Sequence, residues 1–180
     1  LQLRQGVALL TNPPDYKVTA DGSPAIRFTA ANLPPGLSLD VNTGILSGAP
    51  TTLGTFTTTF TATNDVPALN LGVDSKTLTI IVNASPPVFT SATTHSAIQG
   101  VAAAPYVVTA SGTAPITFTA APLPPGIAFD AATATLSGTP TATGVTDIRI
   151  VATNQAGTTT MTLTYTVSAL VPVITSPLTA

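Results

Sequence analysis

The feature that most constrains this chain is that it says the same thing twice. Residues 16–64 lie on residues 106–154 without a gap, with 25 of 49 positions identical. Tyr16-Lys17-Val18-Thr19-Ala20 returns as Tyr106-Val107-Val108-Thr109-Ala110, Leu33-Pro34-Pro35-Gly36 as Leu123-Pro124-Pro125-Gly126, and Ser47-Gly48-Ala49-Pro50 as Ser137-Gly138-Thr139-Pro140. Each copy must therefore close its own core within about 85 residues, which excludes large single-domain architectures. The phrase Pro86-Pro87-Val88-Phe89-Thr90-Ser91 opens copy two, and Val171-Pro172-Val173-Ile174-Thr175-Ser176 restates it near the end. The expected organisation is repeat one at 1–85, repeat two at 86–171, and the opening strand of a third repeat at 172–180. Copy one lacks a counterpart of Pro86 to His95, and so its opening strand. It also carries extra residues around Thr11 to Pro14 and between Asp65 and Gly72, where copy two has the shorter Gln155-Ala156-Gly157. The chain reads as a window on a longer array.

Within each copy the apolar residues alternate. Tyr106, Val108 and Ala110 share a parity, as do Ile116, Phe118 and Ala120, Ile127 and Phe129, Ile148, Ile150 and Ala152, and Leu163, Tyr165 and Val167. Copy one repeats the pattern from Tyr16 to Val82. Period two over short runs places successive side chains on opposite faces of a strand. Pro-Gly and Asp-Gly clusters separate the runs, and no stretch has a helical period. Some seven strands per copy, each with a Thr-rich wet face, predict two tandem antiparallel β-sandwiches, an all-β fold. Phe28 with Phe60, and Phe118 with Phe129, are the aromatic pairs expected nearest the core centres.

Composition narrows the function. The chain has 36 Thr and 27 Ala, no Glu, no Cys and no Trp, and only 7 % charged residues with a net charge of −2. No basic stripe exists to hold nucleic acid. No apolar run reaches the roughly 18 residues of a membrane-spanning helix, so no membrane span is expected in this segment. Without Cys there are no disulfides or thiolate metal sites. Leu1-Gln2-Leu3-Arg4 does not read as a signal peptide, and a mature or excised fragment is expected.

Taken in order, Leu33-Pro34-Pro35-Gly36-Leu37-Ser38-Leu39-Asp40, Thr43-Gly44-Ile45-Leu46-Ser47-Gly48-Ala49-Pro50-Thr51, Gly54-Thr55-Phe56 and Ala62-Thr63-Asn64 resemble a known repeat. It is the Putative Ig domain repeat of bacterial surface proteins, related to dystroglycan-type cadherin-like domains. Copy two matches through Leu123 to Asp130, Thr133 to Pro140, Gly144, and Ala152 to Asn154. The resemblance covers nearly the whole chain. It implies Ig-like or cadherin-like sandwiches in tandem arrays on exported proteins that act as stalks, adhesins or appendages of secreted enzymes.

That resemblance raises calcium. Cadherin-type sites are built at domain junctions from Glu and Asp, and Ca²⁺ takes six to eight oxygens. This chain has no Glu, and where cadherin-like repeats carry a junction Asp it has Asn64 and Asn154. Asp40, Asp65 and Asp130 complete the weak calcium candidates. No other cofactor is expected.

No catalytic constellation forms. His95 is the single His and is read as an exposed strand residue without a counterpart in copy one; a triad would need a carboxylate and a hydroxyl aimed at it. Asp40 and Asp130 recur beside turn residues, which suggests that they organise hairpins, with Gly36, Gly44 and Gly126 as structural turn glycines. Lys17 and Lys76, the partners available for an amide crosslink to Asn, read as surface lysines. Tyr16, Tyr106 and Tyr165 have inward parity and offer no sugar platform. The reading is a non-enzymatic structural or adhesive module of a bacterial extracellular, cell-surface protein, a building block of a stalk, fibre or filament. Its partners would be neighbouring repeats of the same array or polymer, or a surface protein or glycan. The alternative is a binding module: a carbohydrate-binding appendage of a secreted hydrolase, or a calcium-dependent adhesin.

Overall fold

The computed structural model describes residues 1–22, 25–64 and 72–172. The metal candidate Asp65, part of the Asp21 to Pro24 turn and residues 173–180 of the third opening strand lie outside them. The chain divides into two compact units, Leu1–Ser85 and Pro86–Ala180. No helix occurs among the described residues.

Unit one is built from β1 (Gln2–Arg4), β2 (Ile26–Ala31), β3 (Leu37–Leu39), β4 (Leu46–Gly48), β5 (Gly54–Asn64) and β6 (Val73–Asn83). One sheet runs β1-β6-β5-β2, and the facing layer is the β3-β4 hairpin. The Tyr16 to Val18 stretch joins that hairpin through a Lys17–Ile45 bridge. Unit two contains β7 (Val88–Phe89), β8 (Thr94–Ile98), β9 (Tyr106–Val107), β10 (Ala110–Ser111), β11 (Thr117–Ala121), β12 (Ile127–Asp130), β13 (Thr135–Gly138), β14 (Gly144–Asn154) and β15 (Gly157–Ser168). Its sheets run β11-β14-β15-β8, β12-β13-β9 and β10-β7.

The pairing is antiparallel except at one edge of each unit. There β1 lies parallel to β6, with Leu3 opposite Val82, and β8 lies parallel to β15, with Ala97 opposite Val167. This register corrects the expectation that copy one has lost its whole opening strand. In copy two that strand is split, β7 pairing with one layer and β8 with the other. Copy one keeps the second half as β1, and Leu1 stands where His95 stands. Only a counterpart of β7 is missing among the described residues.

The alternation has the energetic basis expected of a pleated surface. On β14, Ile148, Ile150 and Ala152 are fully buried while the alternating Asp147 and Arg149 face out. Leu163, Tyr165 and Val167 of β15 complete the same layer. Exposed hydroxyls pair across strands, as in Thr61 with Ser75 at 2.8 Å and Thr153 with Thr158 at 3.1 Å. Such pairs stabilise a sheet without charge, at about 0.2–1 kcal/mol each.

The core centres differ from the expectation in unit two. Phe28 and Phe60 are buried in unit one, but Phe118 and Phe129 are only half-buried. The centre of unit two is Tyr165 with Leu136, Ile148, Ile150 and Leu163. The ladders explain the exchange: Phe60 and Ile80 in copy one stand where Ile150 and Tyr165 stand in copy two, so aromatic bulk moves from one central strand to its neighbour. Thr58, on the same parity as Phe60 and Ala62, is fully buried, and its hydroxyl donates to the Asn32 carbonyl at 3.0 Å. Ile148 takes that position in unit two.

Candidate functional site

The motifs that repeat most faithfully meet each other in space. Gly36, at φ 89°, faces the backbone of Ala49, and a Cβ there would lie 2.2 Å from the Ala49 carbonyl oxygen. A Cβ on Gly48 would lie 2.2 Å from the Gly36 oxygen. Gly126, at φ 87°, and Gly138 repeat this reciprocal approach in unit two, at 2.1 and 2.3 Å. The Pro-Pro-Gly turn and the Ser-Gly-x-Pro strand are thus two halves of one backbone lock. Thr51 N–H donates to the Pro35 carbonyl at 2.8 Å, Thr141 N–H to that of Pro125 at 2.9 Å, and Pro34, Pro50 and Pro140 are fully buried.

A crossover segment is stitched onto each lock. Gln5 N–H donates to Asn83 and its side-chain amide to the Thr51 carbonyl, while Gly6 N–H donates to Pro50 at 2.8 Å. Gln99 does the same with Ser168 at 2.9 Å and Thr141 at 2.8 Å, and Gly100 N–H donates to Pro140 at 2.9 Å. The signal was present in the sequence as Gln5-Gly6-Val7-Ala8 and Gln99-Gly100-Val101-Ala102. It sits at an offset of 94 instead of 90, on the far side of the Thr11 to Pro14 insertion, and a gapless alignment passes over it.

Three of the calcium candidates, Asp40, Asp130 and Asn154, hold turns and loops together. Asp40 accepts from Asn42 N–H at 2.9 Å and Thr43 N–H at 2.8 Å, and these amides, Thr43 first, hold its carboxyl below the ordinary range. Asp130 accepts from Ala132 N–H at 2.9 Å and the Thr133 hydroxyl at 2.9 Å, with the same downward shift led by Ala132. Each organises its own hairpin, closed by Gly44 at φ 69° in unit one and by Ala134 at φ 52° in unit two. Asn154 donates to the Thr113 carbonyl at 2.8 Å and accepts from Ala156 N–H at 2.8 Å. Asn64 ends β5 and borders a groove with Asp21 and Asp74. Among the described residues no three His, Cys, Asp or Glu side chains gather as a metal-binding group.

His95 differs from its sequence reading. It is half-buried on β8, with its ring 5.3 Å from that of Tyr106 and 5.1 Å from that of Tyr165, and its Nε2 lies 3.1 Å from the Ala104 carbonyl. Tyr106 donates its hydroxyl to Ala92 O. Burial pushes the Tyr165 phenol above its ordinary pKa. The His95 ring thus packs against both tyrosines, tilted by 58° to Tyr106 and 57° to Tyr165.

The two units differ most where β7 lies. In unit two Pro87 is fully buried, its carbonyl accepts from the Thr159 hydroxyl at 2.7 Å, and Phe89 packs 6.3 Å from Phe118. The corresponding face of unit one is an open groove. One part, of about 350 Å³, is bounded by Tyr16, Phe60, Asp74 and Lys76; a second, of about 610 Å³, by Ile26, Phe28 and Asn42; Lys17, Thr19 and Ala20 border both. Lys17 and Lys76 stand exposed on its lips.

Comparison with known protein families finds one repeat in each unit. The family described as Putative Ig domain matches residues 4–83 and again 79–168. The "Serine-rich adhesin for platelets" of Staphylococcus aureus strain N315 is 33 % identical over 160 residues, covering 87 % of this chain. The chain spans only 7 % of that adhesin's length. Among solved structures, the titin I-band fragment I67-I69 matches 94 % of this chain and 62 % of its own at 21 % identity and a TM-score of 0.39. Mouse cadherin-23 EC22-24 matches the same shares at 13 % identity and a TM-score of 0.41. With the lock, the hairpins and the strand order present in both copies, this chain belongs to the Putative Ig domain family, as two tandem members.

Proposed function

We propose that this chain is a non-enzymatic structural module of a bacterial extracellular surface protein, serving as a stretch of stalk or spacer. One observation carries the reading: the copies share their mechanical parts and not their chemical ones. The glycine lock, the Gln crossover and the hairpin aspartates occur in both units. By the strand registers, Lys17, Asp74, Lys76 and His95 are replaced in the other copy by Val107, Thr159, Met161 and Leu1.

The edge pairing suits a chain under tension. The first strand of each unit on the main sheet runs parallel to the last, so pulling on the two ends drives neighbouring strands past each other along their axes. All the bonds of that ladder are then strained together, whereas a hairpin pulled open loses its bonds one at a time. This ladder joins Thr94–Ile98 to Thr164–Ser168 in unit two and Gln2–Arg4 to Ile81–Asn83 in unit one, where Leu1 adds bonds to Thr79 and Ile81, and the Gln N–H extends each. The sparsely charged, hydroxyl-rich surface offers little focused field for a charged ligand. Similarity to a staphylococcal adhesin supports placement at the cell surface.

That similarity also favours a second reading, an adhesive module. Surfaces coated with the 180-residue chain and presented to platelets and to a glycan array separate the two. The spacer reading expects no saturable capture; saturable capture, lost on unfolding the chain, would replace it with the adhesive one.

A further inference from the structure

We propose that Met161 is a modification site, at which a peroxide oxidises the thioether to the sulfoxide in the folded chain and so loosens unit two while unit one keeps its stability. The composition leaves one place for this chemistry. The chain has no Cys and no Trp, and the sulfur of Met161 is its single sulfur atom. The setting of that sulfur decides what its oxidation does. Met161 lies near the middle of β15, on the inward parity of Thr159, Leu163 and Tyr165, while Thr160 and Thr162 beside it are exposed. It stands opposite the fully buried Ile150 and packs against the core that Ile150 forms with Leu163 and Tyr165. Met161 itself is only half-buried, so a small oxidant reaches it without unfolding the unit.

The step balances with hydrogen peroxide as its one co-reactant. A sulfur lone pair attacks one peroxide oxygen, the S–O bond forms as the O–O bond breaks, sulfur loses two electrons, and the second oxygen takes up the protons and leaves as water. A flexible apolar group is thereby replaced by one with a polar oxygen that accepts hydrogen bonds. Its neighbours offer that oxygen little. Ile150 and Leu163 carry no side-chain donor, and Thr159, two residues away on the same face, already gives its hydroxyl to the Pro87 carbonyl at 2.7 Å. The oxygen either stays unpaired against the core or draws the side chain outward and uncovers Ile150. Both weaken the seam between β14 and β15. Unit one has no such site: the registers place Lys76, opposite Phe60, where Met161 stands opposite Ile150, and Lys76 is exposed and carries no sulfur. Two copies that share their lock, crossover and hairpins therefore differ in their response to oxidant. Methionine sulfoxide reductases are the enzymes that return the sulfoxide to the thioether.

The inference goes beyond the spacer reading and stands or falls without it. The test is exposure of the intact 180-residue chain to hydrogen peroxide under native conditions, followed by peptide mass mapping and amide hydrogen exchange. Met161→Leu, which nearly conserves volume, is treated in parallel. The expected result is a gain of about 16 Da, one oxygen atom, confined to the peptide that holds Met161. Exchange in β14 and β15 should become about tenfold faster, with exchange in β5 and β6 unchanged, and Met161→Leu should show neither effect. A mass gain that appears only after the chain is unfolded in urea overturns the proposal. So does oxidised Met161 with unchanged exchange in unit two, equal acceleration in both units, or the same acceleration in Met161→Leu.

Discussion

Substituting Gly126 by Ala probes the lock where its geometry is tightest. The added Cβ would lie 2.1 Å from the Thr139 carbonyl oxygen, about 1 Å inside the shortest separation that real Cβ atoms show, and the obstructing atom is backbone. Relief requires β12 and β13 to part at the Ile127–Gly138 pair, which puts at risk the Thr141 to Pro125 and Ile127 to Pro124 hydrogen bonds. At about 1 kcal/mol for each bond and about 1–2 kcal/mol for a Cβ in a left-handed conformation, the loss is about 3–4 kcal/mol. For a domain of this size that lowers Tm by roughly 12–30 °C. Gly100→Ala supplies the control, since Gly100 also has positive φ, 75°, but a Cβ there meets nothing within 4 Å. It should cost only the conformational part, about 1–2 kcal/mol. Calorimetry on the two variants, with urea unfolding followed by the near-ultraviolet signal of Tyr106 and Tyr165, measures both losses. Equal losses would refute the lock, because the glycine requirement would then be one of backbone conformation alone.

Other expectations follow from single contacts. Asp40→Asn and Asp130→Asn should flatten the acid limb of the stability profile: carboxyls lowered in the folded state stabilise it above their unfolded pKa near 3.8, and that contribution is lost as pH falls through the folded values. Melting curves between neutral pH and strong acid check this. Gln99→Ala removes the bond to Thr141 and should cost about 1 kcal/mol, read as a shift in urea midpoint with unchanged slope. Thr58→Val keeps the shape and deletes the donor to Asn32, and should destabilise unit one by about 1 kcal/mol by the same measurement.

Much of the fold could be read from residues whose chemistry is local. Pro34-Pro35-Gly36 and Asp40 to Gly44 set φ and accept amides within a few positions, so their roles do not depend on what the rest of the chain does. Parity likewise assigned Ile148, Ile150 and Leu163 to the inside. Depth within the core is a different matter, because it depends on the facing layer. Phe118 and Phe129 point inward but lie away from the centre that Tyr165 occupies, and nothing in their own strands says so. Thr58 falls on the inward parity of Phe60 and Ala62, but its own strand does not show the Asn32 carbonyl that takes its hydroxyl. The meeting of Gly36 with Gly48, the Gln crossover and the unit-one groove are all long-range pairings, and sequence spacing carries no distance between them. His95 reads as exposed for the same reason, since its two tyrosine neighbours come from β9 and β15.

The central claim is that this chain is built to transmit force along a tandem of sandwiches, and the measurement that addresses it most directly is single-molecule extension with two attachment geometries. Pulled through its ends, the chain should give two all-or-none steps, each releasing about 25–30 nm for a unit of roughly 85 residues at about 3.4 Å per residue. Pulled instead between Gly144, at the start of β14, and Ser168, at the end of β15, unit two should open at a clearly lower force, because these two ends lie side by side and that hairpin unzips. Equal forces in the two geometries, or smooth extension without steps, would contradict the account.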